Sequence, residues 1–417
     1  MSKVLLDRFL NHGVKYGRLG VVFADGSAKT YGEAKEGFPE IVIRFTDGKV
    51  PRDIIMDPRL GAAETFMDGR LIIEEGDVMG LVTLIRANSQ WDKGGDMAAP
   101  SFIRRIANSA SFAAERVNNA IKSKNNVAHH YDIGNDFYAL MLDEEHWQYS
   151  CAYWPEGVKT LGDAQTAKLA HIAAKLTLKP GQKVLDIGCG WGGMAIFLAK
   201  HYDVEVTGIT LSEEQIDLAR QKVKDAGVAD RVSIELVDYR DFAAAGRKFD
   251  RIVSVGMFEH VGQPQFEEFF QACANLLTDD GSMLLHTIGR MGSPGATDAF
   301  TRKYIFPGGY IPALSETVEA SEKFRLIATD VETLRLHYGK TLQYWYANCM
   351  ANKDAMVAMY DERFFRMWTF YLAGAATVFE YGSMCNYQIQ YARSRHALPI
   401  TRGYIEAEEK RLLKNST

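Results

Sequence analysis

At 417 residues, with 47% hydrophobic and 24% charged residues, the chain has the make-up of an ordinary globular enzyme and the length of two domains. A net charge of −5 argues against nucleic-acid binding, and five scattered cysteines without disulfide or metal-ligand spacing point to a reduced, cytoplasmic protein with no metal site. The opening MSKVLLDRFLNHG carries charges where a secretory signal needs an apolar core, and no apolar run reaches the ~18 residues of a membrane span.

Residues 1–95 hold short strand-like runs split by Asp-Gly pairs: VVF before Asp25-Gly26, EIVIRF before Asp47-Gly48 and TFM before Asp68-Gly69. Each pair fits a tight hairpin, because glycine tolerates a positive φ. DPRLGAAETFMDG and EEGDVMGLVTLIRA add short helices, so the segment reads as a small α+β domain without a catalytic motif. A linker follows over 96–126. Within it, Ile103, Ile106, Ala110, Ala113, Val117 and Ile121 recur at helical steps, while Arg104, Arg105, Arg116, Lys122 and Lys124 oppose the lone acid Glu115. A basic amphipathic helix of this kind suits an anionic membrane surface, and it suits equally an interdomain helix with a solvated face.

Residues 127–417 form the third segment. From 127 to about 290, strands are predicted at 183–187, 204–210, 232–237, 250–256 and 282–287, and helices at 163–176, 193–202, 212–226 and 265–277. This alternation predicts a parallel, doubly wound sheet with its ligand at the carboxyl ends of the strands. The remainder, rich in Tyr, Phe and Met, reads as mostly helical.

The most informative stretch is VLDIGCGWGG, 184–193: an apolar strand ending in Asp186, a turn through Gly188, Gly190 and Gly192, then a helix. Alternate glycines let the backbone approach a ligand that a Cβ would keep away. The D-x-G-x-G-x-G spacing is not the dinucleotide G-x-G-x-x-G. It resembles the first loop of class I methyltransferases, which packs along S-adenosylmethionine. The second strand ends in Thr210, where such enzymes usually carry an acid for the ribose, and Gln215 on the next helix is the candidate replacement.

HYDIGNDFY (130–138), QYSCAYW (148–154), VLDIGCGWGG, GITLSEEQ (208–215), VDYRDF (237–242), DRIVSVGMFEHVG (250–262), LLHTIG (284–289), YIFPGGYIP (304–312) and HYGKTLQYW (337–345) occur in this order. Together they closely resemble the cyclopropane-fatty-acyl-phospholipid synthases and their mycolic-acid relatives over residues 100–410. The first 95 residues more loosely resemble the lipid-binding domain of the bacterial phospholipid enzymes. The implied architecture is a class I methyltransferase α/β sheet with helical C-terminal additions, plus a small N-terminal α+β domain for lipid binding and dimerisation.

The resemblance implies transfer of methylene from S-adenosylmethionine to the cis double bond of an acyl chain in an intact phospholipid. The enzyme would be a homodimer at the inner face of the membrane. Bicarbonate would be the base that deprotonates the methylated carbocation, held by Cys151, Glu259, His286, the Ile288 backbone and Tyr338. His286 and Tyr338 can donate to an anion, and Glu259 can accept from its hydroxyl. Cys151 reads as a packed weak donor, since methyl transfer needs no covalent step. The implied cofactor contacts are Tyr149, Ser150, Asp186, Gly188, Gly190, Thr210, Leu211, Gln215, Tyr239, Arg240 and His260. Tyr153, Trp154, Tyr304 and Phe306 would line the acyl tunnel, or serve as ordinary core. A branched methyl product, or N-methylation of a small amine, is the alternative outcome on the same scaffold.

Overall fold

A computed structural model describes residues 2–58, 60–95 and 133–414. The basic segment predicted at 101–126 lies outside these residues. By contact, the described residues form two compact units. One combines the residues up to 95 with Thr297–Pro307 and Gly339–Ser383; the other runs from 133 to Ala296 and adds Gly308–Tyr338 and the residues from Met384 onward. Segments far along the chain thus cluster with the first ninety-five residues, whereas the sequence reading divides the chain only at 95 and 126.

The first unit carries a sheet in the order β2-β1-β3-β4, built from Arg18–Val22, Ala28–Tyr31, Glu40–Phe45 and Leu71–Glu75. β1 and β2 are antiparallel, joined through Gly26 at φ 79°, as the first Asp-Gly pair predicts. The other two pairs do not make hairpins. Asp47-Gly48 leads into a helix, Val50–Met56, whose Pro51 suits a first turn that needs no N–H. TFM is the end of a helix, Gly61–Met67, and Asp68-Gly69 turns that helix into β4. An Asp-Gly pair specifies a tight turn but not what precedes it; helical Ala62, Ala63 and Glu64 decide the TFM case.

The second unit is built on a seven-stranded sheet in the order β10-β11-β9-β8-β5-β6-β7. The strands are Gln182–Ile187 (β5), Val204–Thr210 (β6), Val232–Leu236 (β7), Phe249–Val255 (β8), Leu277–Arg290 (β9), Ile327–Leu334 (β10) and Met384–Ala392 (β11). β7 through β9 run parallel, while β11 is antiparallel to both β9 and β10. Val184, Leu185 and Ile187 are buried on both faces, the signature of a central parallel strand. The doubly wound sheet and its helices at Leu161–Leu176, Gly193–His201, Glu213–Asp225 and Phe266–Leu276 follow the sequence reading closely. β10 and β11 do not, since that region reads as helical.

Chain order moves from β5 outward to β7 and then returns to β8 on the opposite side of β5. The switch point between β5 and β8 opens a crevice at their carboxyl ends, where doubly wound sheets bind ligands. Side-chain caps set the flanking helices: Thr160 accepts from the Asp163 amide, Ser212 from Gln215 and Asp238 from Arg240. No helix of the described residues is long and apolar enough to cross a membrane.

Candidate active site

The glycine loop leaves β5 with Gly188, Gly190 and Gly192 all at positive φ. Gly188 and Gly190 differ in what a side chain would meet. A Cβ on Gly188 would sit 2.7 Å from Met257, so this glycine lets the loop after β8 pack close. A Cβ on Gly190 would meet nothing within 4 Å, so the space beside it is open. At its base Asp186 is 1% exposed, and its Oδ2 has no hydrogen-bond partner among the described residues. Burial pushes this carboxyl up to about 7, against the opposing pull of Lys168.

The loop before the crevice is drawn together by Asp143, whose carboxylate accepts from the amides of His146, Trp147 and Gln148 at 2.6–3.1 Å. It delivers Tyr149, Ser150 and Cys151. Ser150 is held from behind by the helix Leu161–Leu176: Gln165 Nε2 donates to its carbonyl at 3.0 Å and Lys168 Nζ to its hydroxyl at 3.1 Å. Lys168 is wholly buried, and loss of solvent lowers its ammonium to about 8. Cys151 is buried, its Sγ 3.3 Å from the Ala152 carbonyl, and burial drives its thiol well up, the opposite of what a nucleophile needs. A bond from the Trp154 amide to His337 Nδ1 (2.8 Å) ties this loop to the start of the helix His337–Ala351, beside Tyr338.

At the end of β6, Thr210 donates to Gln215 Oε1 at 3.3 Å and accepts from the Ser212 amide, so Thr210, Leu211 and Gln215 form one corner of the crevice. Past β7, Arg240 clamps Asp238 through Nε (2.8 Å) and Nη2 (2.7 Å), and its guanidinium lies 5.1 Å from the Tyr239 ring centre. Tyr239 is buried edge-on against Phe269, its hydroxyl without a partner among the described residues.

Past β8, Gly256 joins several parts. Its amide donates to the His286 carbonyl at 2.9 Å, and a Cβ there would touch Ser150 at 3.7 Å. Glu259 Oε1 accepts from the Ile288 amide at 2.5 Å, while Oε2 is buried without a partner among the described residues. Burial raises the Glu259 carboxyl to about 7. His286, on β9, is 1% exposed. Its Nδ1 lies 3.1 Å from Gln388 Nε2, its Nε2 has no partner among the described residues, and burial holds its pKa well below the ordinary histidine value. Burial likewise lowers His260 to about 4. Ile288 therefore spends its amide on orienting Glu259.

Buried polar atoms are almost always satisfied, so Asp186 Oδ2, the Tyr239 hydroxyl, Glu259 Oε2 and His286 Nε2, all without partners among the described residues, mark places for a bound group. The donor set fits two such groups. Asp186, the open side of Gly190, Thr210, Gln215 and Tyr239 suit an adenosyl amino acid, and Glu259 with His286 suits a small oxyanion bearing a hydroxyl. Among the described residues no cluster of His, Cys, Asp or Glu could hold a metal ion. Of the aromatic residues, Tyr153 is stacked on His171 and on His337 (ring centres 4.1 and 5.1 Å), while Tyr304 and Phe306 belong to the other unit. Sequence reasoning missed Lys168, Gln165 and Gln388. Gln165 and Lys168 share one face of an alanine-rich helix with His171 and Lys175, a pattern that a solvated face gives equally, and Gln388, on β11, has no local signal.

Fold and site together define a class I methyltransferase. Residues 118–389 match the family model described as mycolic acid cyclopropane synthetase. The chain is 37% identical to the cyclopropane-fatty-acyl-phospholipid synthase of Escherichia coli K12, covering 87% of this chain and 90% of that protein. It is 43% identical to a probable fatty acid methyltransferase of Pseudomonas putida over 66% of this chain and 72% of that one. Among solved structures, the mycolic acid cyclopropane synthase CmaA1, complexed with SAH and CTAB, superposes with a TM-score of 0.60 at 35% identity, covering 64% of this chain and 98% of that chain. The chain belongs to the mycolic acid cyclopropane synthetase family.

Proposed function

We propose that the protein transfers a methylene group from S-adenosylmethionine to the cis double bond of an unsaturated acyl chain in a membrane phospholipid, leaving a cyclopropane ring. Family membership supports methylene transfer to an unsaturated lipid. The observation that carries the finer reading is that Glu259, bonded to the Ile288 amide, and His286, two residues before Ile288 on the same strand, are each buried with one polar atom lacking a partner among the described residues.

When bound, S-adenosylmethionine supplies the electrophilic methyl and bicarbonate the base that takes a proton from it. Glu259 Oε2 would accept the hydroxyl of such an anion, and His286 Nε2 and the Tyr338 hydroxyl would donate to it. The Ile288 amide keeps Glu259 in place, and buried Cys151 closes the pocket without reacting. Burial excludes water, which would otherwise capture a carbocation. Asp186, Gly188, Gly190, Thr210, Leu211, Gln215, Tyr239, Arg240 and His260 would frame the cofactor, with Tyr149 and Ser150 across from them. The proposal includes a homodimer attached peripherally to the inner membrane, in which case attachment through the basic segment 101–126 should weaken as salt rises.

Incubation of the purified protein with S-adenosylmethionine and vesicles of unsaturated phospholipid tests the reading. Acyl mass should rise by one CH2 while the alkene proton signal falls. The 43% identity to a probable fatty acid methyltransferase favours a second reading, in which the acceptor is a free fatty acid or the product a branched methyl chain. Turnover of free acid alone, or a gain of CH2 plus two hydrogens, would decide for it. Methylation of a soluble amine with no change in lipid would defeat both.

A further inference from the structure

Behind β9 lies a buried polar chain that the reaction outlined above does not use. The register of the antiparallel pair places Gln388 of β11 directly opposite His286 of β9. Gln388 Nε2 faces His286 Nδ1 at 3.1 Å, and Gln388 Oε1 accepts from Lys175 Nζ at 2.9 Å. Lys175 bonds in turn to Glu332 Oε2, which also accepts from His171 Nε2 at 2.7 Å, and His171 Nδ1 reaches Glu409. Asp330, 3.8 Å from Lys175 Nζ, and Arg402, which pairs with Asp330 at 2.9 Å, complete the charges around it. Gln388 and Lys175 are wholly buried.

The chemistry of this chain has one direction. An ammonium only donates, so the atom of Gln388 that Lys175 reaches must be the carbonyl oxygen. The amide NH2 is then the group turned to His286, and because it donates, Nδ1 must accept. A neutral imidazole with a bare Nδ1 carries its proton on Nε2. We propose that Gln388 and Lys175 are positioning residues, which hold His286 in the Nε2–H tautomer and so aim a donor at the position where the anion would sit. An amide does not readily pass a proton, so the chain sets orientation and does not conduct. Glu332, clamped by His171 and backed by Glu409, keeps the lysine in place. Buried ion pairs contribute little net stability, and conformational specificity is their better-attested use.

The inference rests on the proposed function only for what the Nε2 proton is used for, and the tautomer is read without substrate. Full-length protein labelled with 15N-histidine, with His286 assigned by the signals lost in His286→Asn, should show a neutral ring bare at Nδ1 and protonated at Nε2. Gln388→Glu keeps the size and the Lys175 contact but offers Nδ1 no donor. It should put a proton on Nδ1 and cut kcat roughly 10- to 100-fold, with affinity for S-adenosylhomocysteine unchanged. Lys175→Arg, which still only donates, should retain the wild-type tautomer. A proton on Nδ1 in the wild type overturns the proposal, and that measurement stands even where a variant fails to fold. So does Gln388→Glu with Nδ1 still bare, or with kcat intact. Absence of lipid methylation by the wild type would instead defeat the proposed function and leave the tautomer result standing.

Discussion

Asp47 in the first unit and two carboxyls of the second, Asp186 and Glu259, are driven in opposite directions. In the first unit Asp47 is gripped by Arg70 through Nε (2.7 Å) and Nη2 (3.0 Å), with the third guanidinium nitrogen on Asp53, and these bonds hold the Asp47 carboxyl down at about 2. In the second unit Asp186 and Glu259 lie buried, each with one oxygen that has no partner among the described residues, and both carboxyls rise to about 7. Partners stabilise the charge in one place; burial penalises it in the other. A fold accepts the second arrangement where a ligand completes it, and strain of that kind is the usual mark of a working site.

The largest consequence concerns turnover. Glu259→Gln keeps the shape and the bond from Ile288 but loses a full carboxylate, so kcat should fall about 10²- to 10⁴-fold with S-adenosylhomocysteine still bound. Tyr338→Phe should fall in the same direction by less. Equal loss of cofactor affinity, read by calorimetry, would move Glu259 from the chemistry to the cofactor.

Stability against pH is next. A carboxyl whose folded pKa exceeds its unfolded value binds its proton more tightly in the native state. Its contribution is therefore complete below the unfolded value of about 4, and is lost as pH rises through about 7. Unliganded protein should thus lose stability between pH 5 and 8, on the order of 2 kcal/mol for each group. Glu259→Gln should flatten part of that slope in urea unfolding and be more stable than wild type at pH 8. A wild-type curve that is flat across this range would remove the contrast between the units.

Within the glycine loop the contrast becomes one of space. Gly190→Ala places a methyl where nothing lies within 4 Å, so the protein should fold at a cost of about 1 kcal/mol for the positive φ, yet bind S-adenosylhomocysteine roughly tenfold more weakly. Gly188→Ala meets Met257 at 2.7 Å and should lose more stability. Unchanged affinity in Gly190→Ala would mean the open side is not the cofactor's.

Much of this was legible in the sequence. The five parallel strands stood out because buried strands read as short apolar runs between glycine and helix signals. The glycine loop and Asp186 declared themselves by spacing. β11 did not, and MCNYQIQYA shows why: Asn386, Gln388 and Gln390 alternate along a strand that is buried on both faces, so its polar face looks like solvent exposure. The partners that satisfy that face, Lys175 and its carbonyl, lie more than two hundred residues away. Likewise Lys168 reads as the wet side of a helix, and only packing against Ser150 shows it dry. Long-range polar pairing leaves no local period, and one sequence carries no record of it.

The smallest effect belongs to the first unit. Arg70 and Asp47 are 29% and 39% exposed, so water screens much of their attraction, and Arg70→Met should cost only about 0.5–1 kcal/mol at neutral pH. Because the Asp47 pKa is depressed, this stability is present above about 4 and disappears as pH falls through about 2. The difference between variant and wild type should therefore shrink in acid, and also at high salt. A loss of several kcal/mol that ignored salt would mean the pair behaves as a buried one, and Asp47 would then match Asp186 and Glu259 in burial and differ from them only in having a partner built in.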